Sequence, residues 1–158
     1  MISQNFIGVG GLVFHQDQYL LVKQAYGEYK GQWILPGGHV RSGEAIHRAV
    51  EREVREESGI KAEATGIIAV RSRIRTAETT DCYLVWLMRY LEGIPHPDGR
   101  EVEKARFFDY AEVQLCEEMV HLTRIVIQSH REQKIRILAR NNTDAFYNLN
   151  HRDYQLFL

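Results

Sequence analysis

Thiols are scarce in this chain. Its two cysteines, Cys82 and Cys116, stand far apart and form no CxxC pair. That excludes a disulfide framework and a thiolate zinc site, and it fits a reducing compartment, the cytoplasm. Long apolar runs are missing too: the longest, Leu84-Val85-Trp86-Leu87-Met88, has the length of a strand, far below the roughly 20 residues of a membrane helix. Neither sign of charge dominates. With 20 Lys and Arg against 21 Asp and Glu, the formal net charge is -1, which gives no overall attraction for nucleic acid or for a membrane surface. The opening Met1-Ile2-Ser3-Gln4-Asn5 lacks a basic n-region, so no secretory leader is expected. Prolines number three, and two of them, Pro95 and Pro97, mark residues 93–99 as a loop.

A chain of 158 residues, 44% hydrophobic and 26% charged, can build one core, and residues 1–140 are expected to form a single domain. Residues 141–158 read as an extension. Its apolar end, Tyr154-Gln155-Leu156-Phe157-Leu158, is expected to dock on the core or on a second subunit. Two apolar stretches, 6–14 and 19–24, flank His15-Gln16-Asp17-Gln18 and predict a hairpin buried on both faces. Gly8, Gly10 and Gly11 make no dinucleotide fingerprint, because Val13 stands where the third glycine belongs; a bulge or a close backbone approach accounts for them. Trp33-Ile34-Leu35 is a short strand stopped by Pro36-Gly37-Gly38. Residues 42–58 predict a helix with Ser42 as N-cap, Glu44 in the first turn and Gly59 as its C-terminal stop. Strands are predicted over 66–75, 81–91 and 105–109. From about Tyr110 the tail predicts a helix with Met119, Val120, Leu122, Ile125 and Val126 as apolar contacts.

On a helical wheel Ile46, Ala49, Val50 and Val54 form one apolar stripe, with Arg48, Glu51 and Arg55 opposite. Glu53, Glu56 and Glu57 share a face, and Glu53 and Glu57 fall inside the stripe. Carboxylates turned toward apolar neighbours lose hydration and repel one another, so they need a cation. Oxygen ligands alone select a hard one, Mg²⁺ with Mn²⁺ as substitute. Mg²⁺ held by few carboxylates keeps positions for water and phosphate oxygens, which suits attack of water on phosphorus. Gly37, Gly38 and Gly43 either let the backbone approach metal and phosphates or simply form the strand-to-helix turn.

Residues 38–60 resemble the signature of the Nudix hydrolase family, G-x5-E-x7-R-E-U-x-E-E-x-G-U, with U a bulky aliphatic residue. Gly38, Glu44, Arg52-Glu53-Val54, Glu56-Glu57, Gly59 and Ile60 fill every defined position. Outside it, Trp33-x-Leu35-Pro36-Gly37-Gly38 and the strand pattern extend the resemblance over roughly residues 6–113. The resemblance implies an α/β fold, an α/β/α sandwich around a mixed β-sheet. It implies Mg²⁺-dependent cleavage of a diphosphate linkage in a nucleoside triphosphate or a nucleoside diphosphate derivative. A non-catalytic nucleotide-binding or regulatory module is the alternative role. Family members imply Glu53, Glu56 and Glu57 as metal ligands, with Glu57 bridging, and Glu44 acting through water or ordering the loop. Arg52 resembles the arginine that ties loop to helix, and it also reads as an ordinary i, i+4 partner of Glu56. The general base is implied on the loop before the last core strand, where Glu101 is favoured over Glu103; a base inside the signature, Glu56 or Glu53, is the alternative.

The proline that marks relatives acting on ADP-ribose is missing at Arg75-Thr76-Ala77, and Tyr83 comes late for the tyrosine of relatives acting on dinucleoside polyphosphates. A nucleoside triphosphate or small nucleoside diphosphate derivative remains, with ADP-ribose or a nucleotide sugar as alternative. Arg71, Arg73 and Arg75 alternate along one strand and share a face, suited to phosphates or to guarding a sheet edge. Tyr26 and Tyr29 lie where relatives stack a nucleobase, and Trp33 reads as packing. The candidate substrate contacts are therefore Gly37, Gly38, Arg71, Arg73 and Tyr26. A homodimer is the assembly the family suggests.

Overall fold

The computed structural model describes residues 5–141 and 156–157. The chain begins with β1 (Phe6–His15) and β2 (Gln18–Gln24), joined by Gln16 and Asp17, both at positive φ (48° and 61°). That backbone pair matches the twist a two-residue hairpin turn requires. The expected hairpin holds only at its turn, through Phe14↔Tyr19 and His15↔Gln18. Beyond it the arms separate. β1 pairs parallel with β6 (Thr79–Glu92) from Phe6↔Asp81 to Phe14↔Arg89, and on its other side with β4 (Gly37–His39). β2 instead pairs with β3 (Trp33–Ile34) and β7 (Val102–Phe108). The splayed arms open a cleft, and a cavity lies at it.

β5 (Lys61–Thr76) and β6 form a hairpin longer at both ends than the predicted strands, because cross-strand pairs run from Lys61↔Glu92 to Thr76↔Thr79. Helix α1 (Ile46–Ser58) starts later than predicted. Its N-cap is Ala45, with no side-chain cap, rather than Ser42. Glu44 is not in the first turn either, because Arg52 and the Arg41 N–H take its carboxylate. The C-terminal stop is as predicted: Gly59 sits at φ 70° and its N–H bonds the Arg55 carbonyl. The predicted tail helix is two helices, α2 (Tyr110–Leu115) and α3 (His121–Arg131), separated where Met119 bridges Trp33. Ile125 is half exposed; Val126 packs inward as expected, and Ile127 packs inward beside it.

One core layer lies between α1 and the sheet, with Val50, Val54, Ile60, Val9 and Trp86 fully buried. The other lies between the sheet and α2–α3, around Leu12, Tyr19, Phe108, Val113 and Ile127. This is an α/β/α sandwich around a mixed sheet. The short strands β8 (Leu138–Asn141) and β9 (Leu156–Phe157) continue the sheet beyond β5, and the Phe157 ring meets Trp86 edge-on at 4.9 Å. Residues 142–155 and 158 of the expected C-terminal extension lie outside the described residues. Among the described residues no helix is long and apolar enough to cross a membrane.

Candidate active site

A cavity of about 500 Å³ opens between the separated strands. The carboxylates of Glu53, Glu57 and Glu101 line it, together with Gly37, Gly38, Tyr26, Arg71, Arg73 and Tyr83. The period of α1 explains the first two: Glu53 and Glu57 ride on the same face as Val50 and Val54, so the helix carries both carboxylates toward the sheet. Glu57 is 3% exposed and Glu53 9%.

Glycine makes this burial possible. A Cβ on Gly38 would stand 2.6 Å from the Glu53 carboxyl carbon, and one on Gly37 would strike the Val9 carbonyl. With no side chain at Gly37 or Gly38, backbone reaches the acids directly. The Gly37 N–H donates to Glu57 Oε2 at 2.8 Å, and Gln24 Nε2 donates to Oε1 at 3.3 Å. These bonds oppose the protonated form but do not win. Burial pushes Glu57 up to about 8, and the charges of Glu53 and Glu101 add to the rise. Burial likewise raises Glu53, against the pull of Arg52.

Arg52 is the hub beside these acids. It donates to Glu44 through Nε at 2.7 Å and Nη2 at 2.9 Å, to Glu53 Oε1 at 2.6 Å, to Glu56 Oε2 at 3.1 Å and to the His39 carbonyl at 3.1 Å. Its hydrogen bonds hold Glu44 down at about 2, and its own pKa is raised. Arg52 thus ties the loop to the helix, and its bond to Glu56 is one of several.

The predicted acids do not all converge. Glu44 faces Arg52 and orders the loop. Glu56 turns outward, is 49% exposed at its side chain, and pairs with Arg41 and Arg52. Neither lines the cavity. Among the described residues no set of three His, Cys, Asp or Glu side chains is already drawn together as a metal cage. The chemistry of the donor set nonetheless fits a hard dication: Glu53 and Glu57 offer carboxylate oxygens, buried and partly stripped of hydration, at a cavity wall. Glu53 and Glu57 could hold such an ion.

Glu101 enters from the loop before β7. Asp98 organises that loop by accepting the N–H groups of Arg100 at 2.9 Å, Glu101 at 3.1 Å and Val102 at 2.9 Å. The Tyr26 hydroxyl lies against Glu101, and burial followed by that carboxylate raises the phenol's pKa. Glu103 is exposed on β7 and does not line the cavity. Arg71, Arg73 and Arg75 all line it, as their alternation predicts, but part of their charge is already met. The buried Asp81 accepts from Arg71 Nη2 at 2.9 Å and from Arg73 Nη2 at 3.0 Å. Tyr29 lines the cavity and Trp33 is core. Sequence reading missed Gln24, Asp81 and Asp98, of which only the Asp98-Gly99 turn pair carried a local signal, and it set Tyr83 aside as coming too late in the chain.

A profile of the NUDIX domain matches residues 4–129. Nucleoside triphosphatase NudI of Escherichia coli is 37% identical over 120 residues, covering 70% of this chain and 82% of that protein. An ADP-ribose pyrophosphatase of Methanocaldococcus jannaschii is 30% identical over 104 residues, 65% of this chain and 61% of that protein. The crystal structure of a MutT NUDIX hydrolase from Burkholderia pseudomallei superposes with a TM-score of 0.69 at 30% identity, over 79% of this chain and 97% of that one. Three other curated relatives are longer proteins, of which the matched stretch spans 18% to 40%.

Proposed function

The chain belongs to the Nudix family, and on that footing we propose that it is a pyrophosphohydrolase acting with a divalent cation on a nucleoside triphosphate or a nucleoside diphosphate derivative. The observation that carries this reading is the burial of Glu53 and Glu57 at the wall of an open cavity, under the backbone of Gly37 and Gly38, with Glu101 lining the same space. A purely structural role would leave two dehydrated acids side by side at a cost that nothing in the fold requires. Glu53 and Glu57 would hold Mg²⁺ or Mn²⁺, which when bound would supply neutralisation of phosphate charge and a lowered pKa for the attacking water.

The chain's own groups supply the rest. Glu101 accepts the proton of the attacking water as its oxygen bonds to phosphorus. The bridging P–O bond breaks, and the leaving phosphate carries away the electron pair. Arg71 and Arg73 offer the N–H groups that Asp81 does not occupy to phosphate oxygens. Gly37 and Gly38 admit the substrate close to the backbone, and Tyr26 stacks on the nucleoside or its partner group. The relative named a nucleoside triphosphatase matches a larger share of this chain than the one named for ADP-ribose, which favours a triphosphate. The reading places the protein in the cytoplasm, where such nucleotides occur and Cys82 and Cys116 stay reduced.

The test is a panel of NTPs, dNTPs, ADP-ribose, nucleotide sugars and dinucleoside polyphosphates with Mg²⁺, scored by released phosphate or pyrophosphate. Turnover that falls on the order of 10²-fold in Glu57→Gln is expected. No turnover on any substrate, or an unchanged rate in the variant, overturns the proposal.

A further inference from the structure

Gly8, which lines the same cavity, and Gly10 both lie beneath one side chain. A Cβ on Gly8 would stand 2.8 Å from Tyr83 Cδ2, and a Cβ on Gly10 would overlap the Tyr83 hydroxyl. The register explains this: Gly8 pairs with Tyr83 and Gly10 with Val85 on the neighbouring parallel strand, so the ring lies along β1 on the cavity side. The Arg71 guanidinium sits 5.1 Å from the ring centroid, and Arg71 is itself tied to Asp81. The ring is thus held between bare backbone and a fixed cation, an arrangement a cation–π contact favours.

The hydroxyl is the unusual part. Tyr83 is only partly buried and lines the cavity, and its hydroxyl has no hydrogen-bond partner among the described residues. Gly10, which the hydroxyl overlies, pairs with Gly37, and the Gly37 N–H holds Glu57. After burial, the Glu57 carboxylate is the strongest electrostatic influence on the phenol, raising its pKa. An immobilised hydroxyl beside the buried acids, spending its proton on no protein acceptor, is a donor placed for a ligand.

Resting on the hydrolytic reading, we propose that Tyr83 is a substrate-contacting residue whose hydroxyl donates a hydrogen bond to a non-bridging phosphate oxygen of the diphosphate bound beside Glu57. Gly8 and Gly10 are then required because they give the ring its place. The expected contact is that of a neutral donor to a charged oxygen.

The experiment compares wild type, Tyr83→Phe, Gly10→Ala and the double variant. It measures kcat/KM on the substrate the panel identifies, affinity for an α,β-methylene nucleotide with Mg²⁺ by calorimetry, and thermal midpoint. Tyr83→Phe should keep the midpoint, lower kcat/KM on the order of 10- to 100-fold and weaken analogue binding severalfold, the scale of a hydrogen bond to a charged group. Gly10→Ala should displace the ring and lose a similar factor, and the double variant should lose little more than either one. Equal kcat/KM and equal affinity in Tyr83→Phe would overturn the proposal while leaving the hydrolytic reading intact. Losses that multiply in the double variant would also overturn the glycine argument. If wild type hydrolyses nothing, that reading fails, and the analogue affinity alone decides whether the hydroxyl meets phosphate.

Discussion

The Gly37 N–H and the Glu57 carboxylate meet at 2.8 Å, so the glycine pair that must stay free of side chains also grips the most deeply buried acid of the cavity. Burial outweighs that bond and pushes Glu57 up from 4.5 to about 8. The folded chain therefore holds a proton there that the unfolded chain releases. Without metal, stability should fall as pH rises from about 4.5 to about 8, because in that window the native state binds more protons. Glu57→Gln should flatten this slope. Mg²⁺ or Mn²⁺ competes with the proton, so either ion should raise the thermal midpoint more at pH 8 than at pH 6. Thermal scans across pH, with and without metal, check all three outcomes; a slope that persists in the variant would assign it to another group.

Arg52 joins Glu44, Glu53, Glu56 and the His39 carbonyl through one planar fork. Arg52→Ala should cost about 2 kcal/mol in urea unfolding, the scale of charge-assisted hydrogen bonds to partly buried acids. Arg52→Lys keeps the charge without the fork and should recover only part of it. Glu44 adds a pH signature. Its folded pKa is depressed to about 2, so its contribution is present above 4.5 and is lost as pH falls toward 2. That acid-side loss should be smaller in Arg52→Ala.

The acids of α1 were legible because a helix repeats every 3.6 residues: once Val50 and Val54 set the buried face, Glu53 and Glu57 had to share it. The helix start was not legible. Ser42 is a good local cap, but Glu44 is drawn to Arg52 across the turn, and the helix begins after that bond is made. The split tail has the same origin. Trp33 N–H bonds the Glu118 carbonyl and the Val120 N–H bonds Trp33, so a distant strand claims backbone that a continuous helix would use. The Asp109–Glu112 capping box that starts α2 was there to be read. Asp81, the partner of Arg71 and Arg73, depends on strand register, which no local pattern specifies.

Phe157 meets Trp86 edge-on at 4.9 Å, where Trp86 is wholly buried against α1's layer of the core. Phe157→Ala should destabilise the protein by about 1–3 kcal/mol, combining lost burial with a lost aromatic pair. It should also red-shift the emission of Trp86 by admitting water. Chemical denaturation followed by tryptophan fluorescence reads both effects, with Trp33→Phe as background to remove the other indole. An unchanged midpoint would mean that the ring contact adds nothing to the core.

Glu101 and Glu103 are two residues apart and lead to opposite expectations. Asp98 gathers the backbone N–H groups around Glu101 and fixes the loop, and the Glu101 carbonyl accepts from the Ala25 N–H, so the residue is anchored at the cavity. Glu103 lies exposed on β7, outside the cavity lining. As general base, Glu101 should be worth on the order of 10²–10⁴ in kcat, and Glu101→Gln should lose that factor with nucleotide affinity nearly unchanged. Glu103→Gln should match wild type. Asp98→Ala should fall between them, because it frees the loop without removing the base, and raising pH should not rescue Glu101→Gln. Steady-state kinetics on the three variants decide the matter: comparable losses in Glu101→Gln and Glu103→Gln would mean general loop electrostatics, and an active Glu101→Gln would move the base back onto α1.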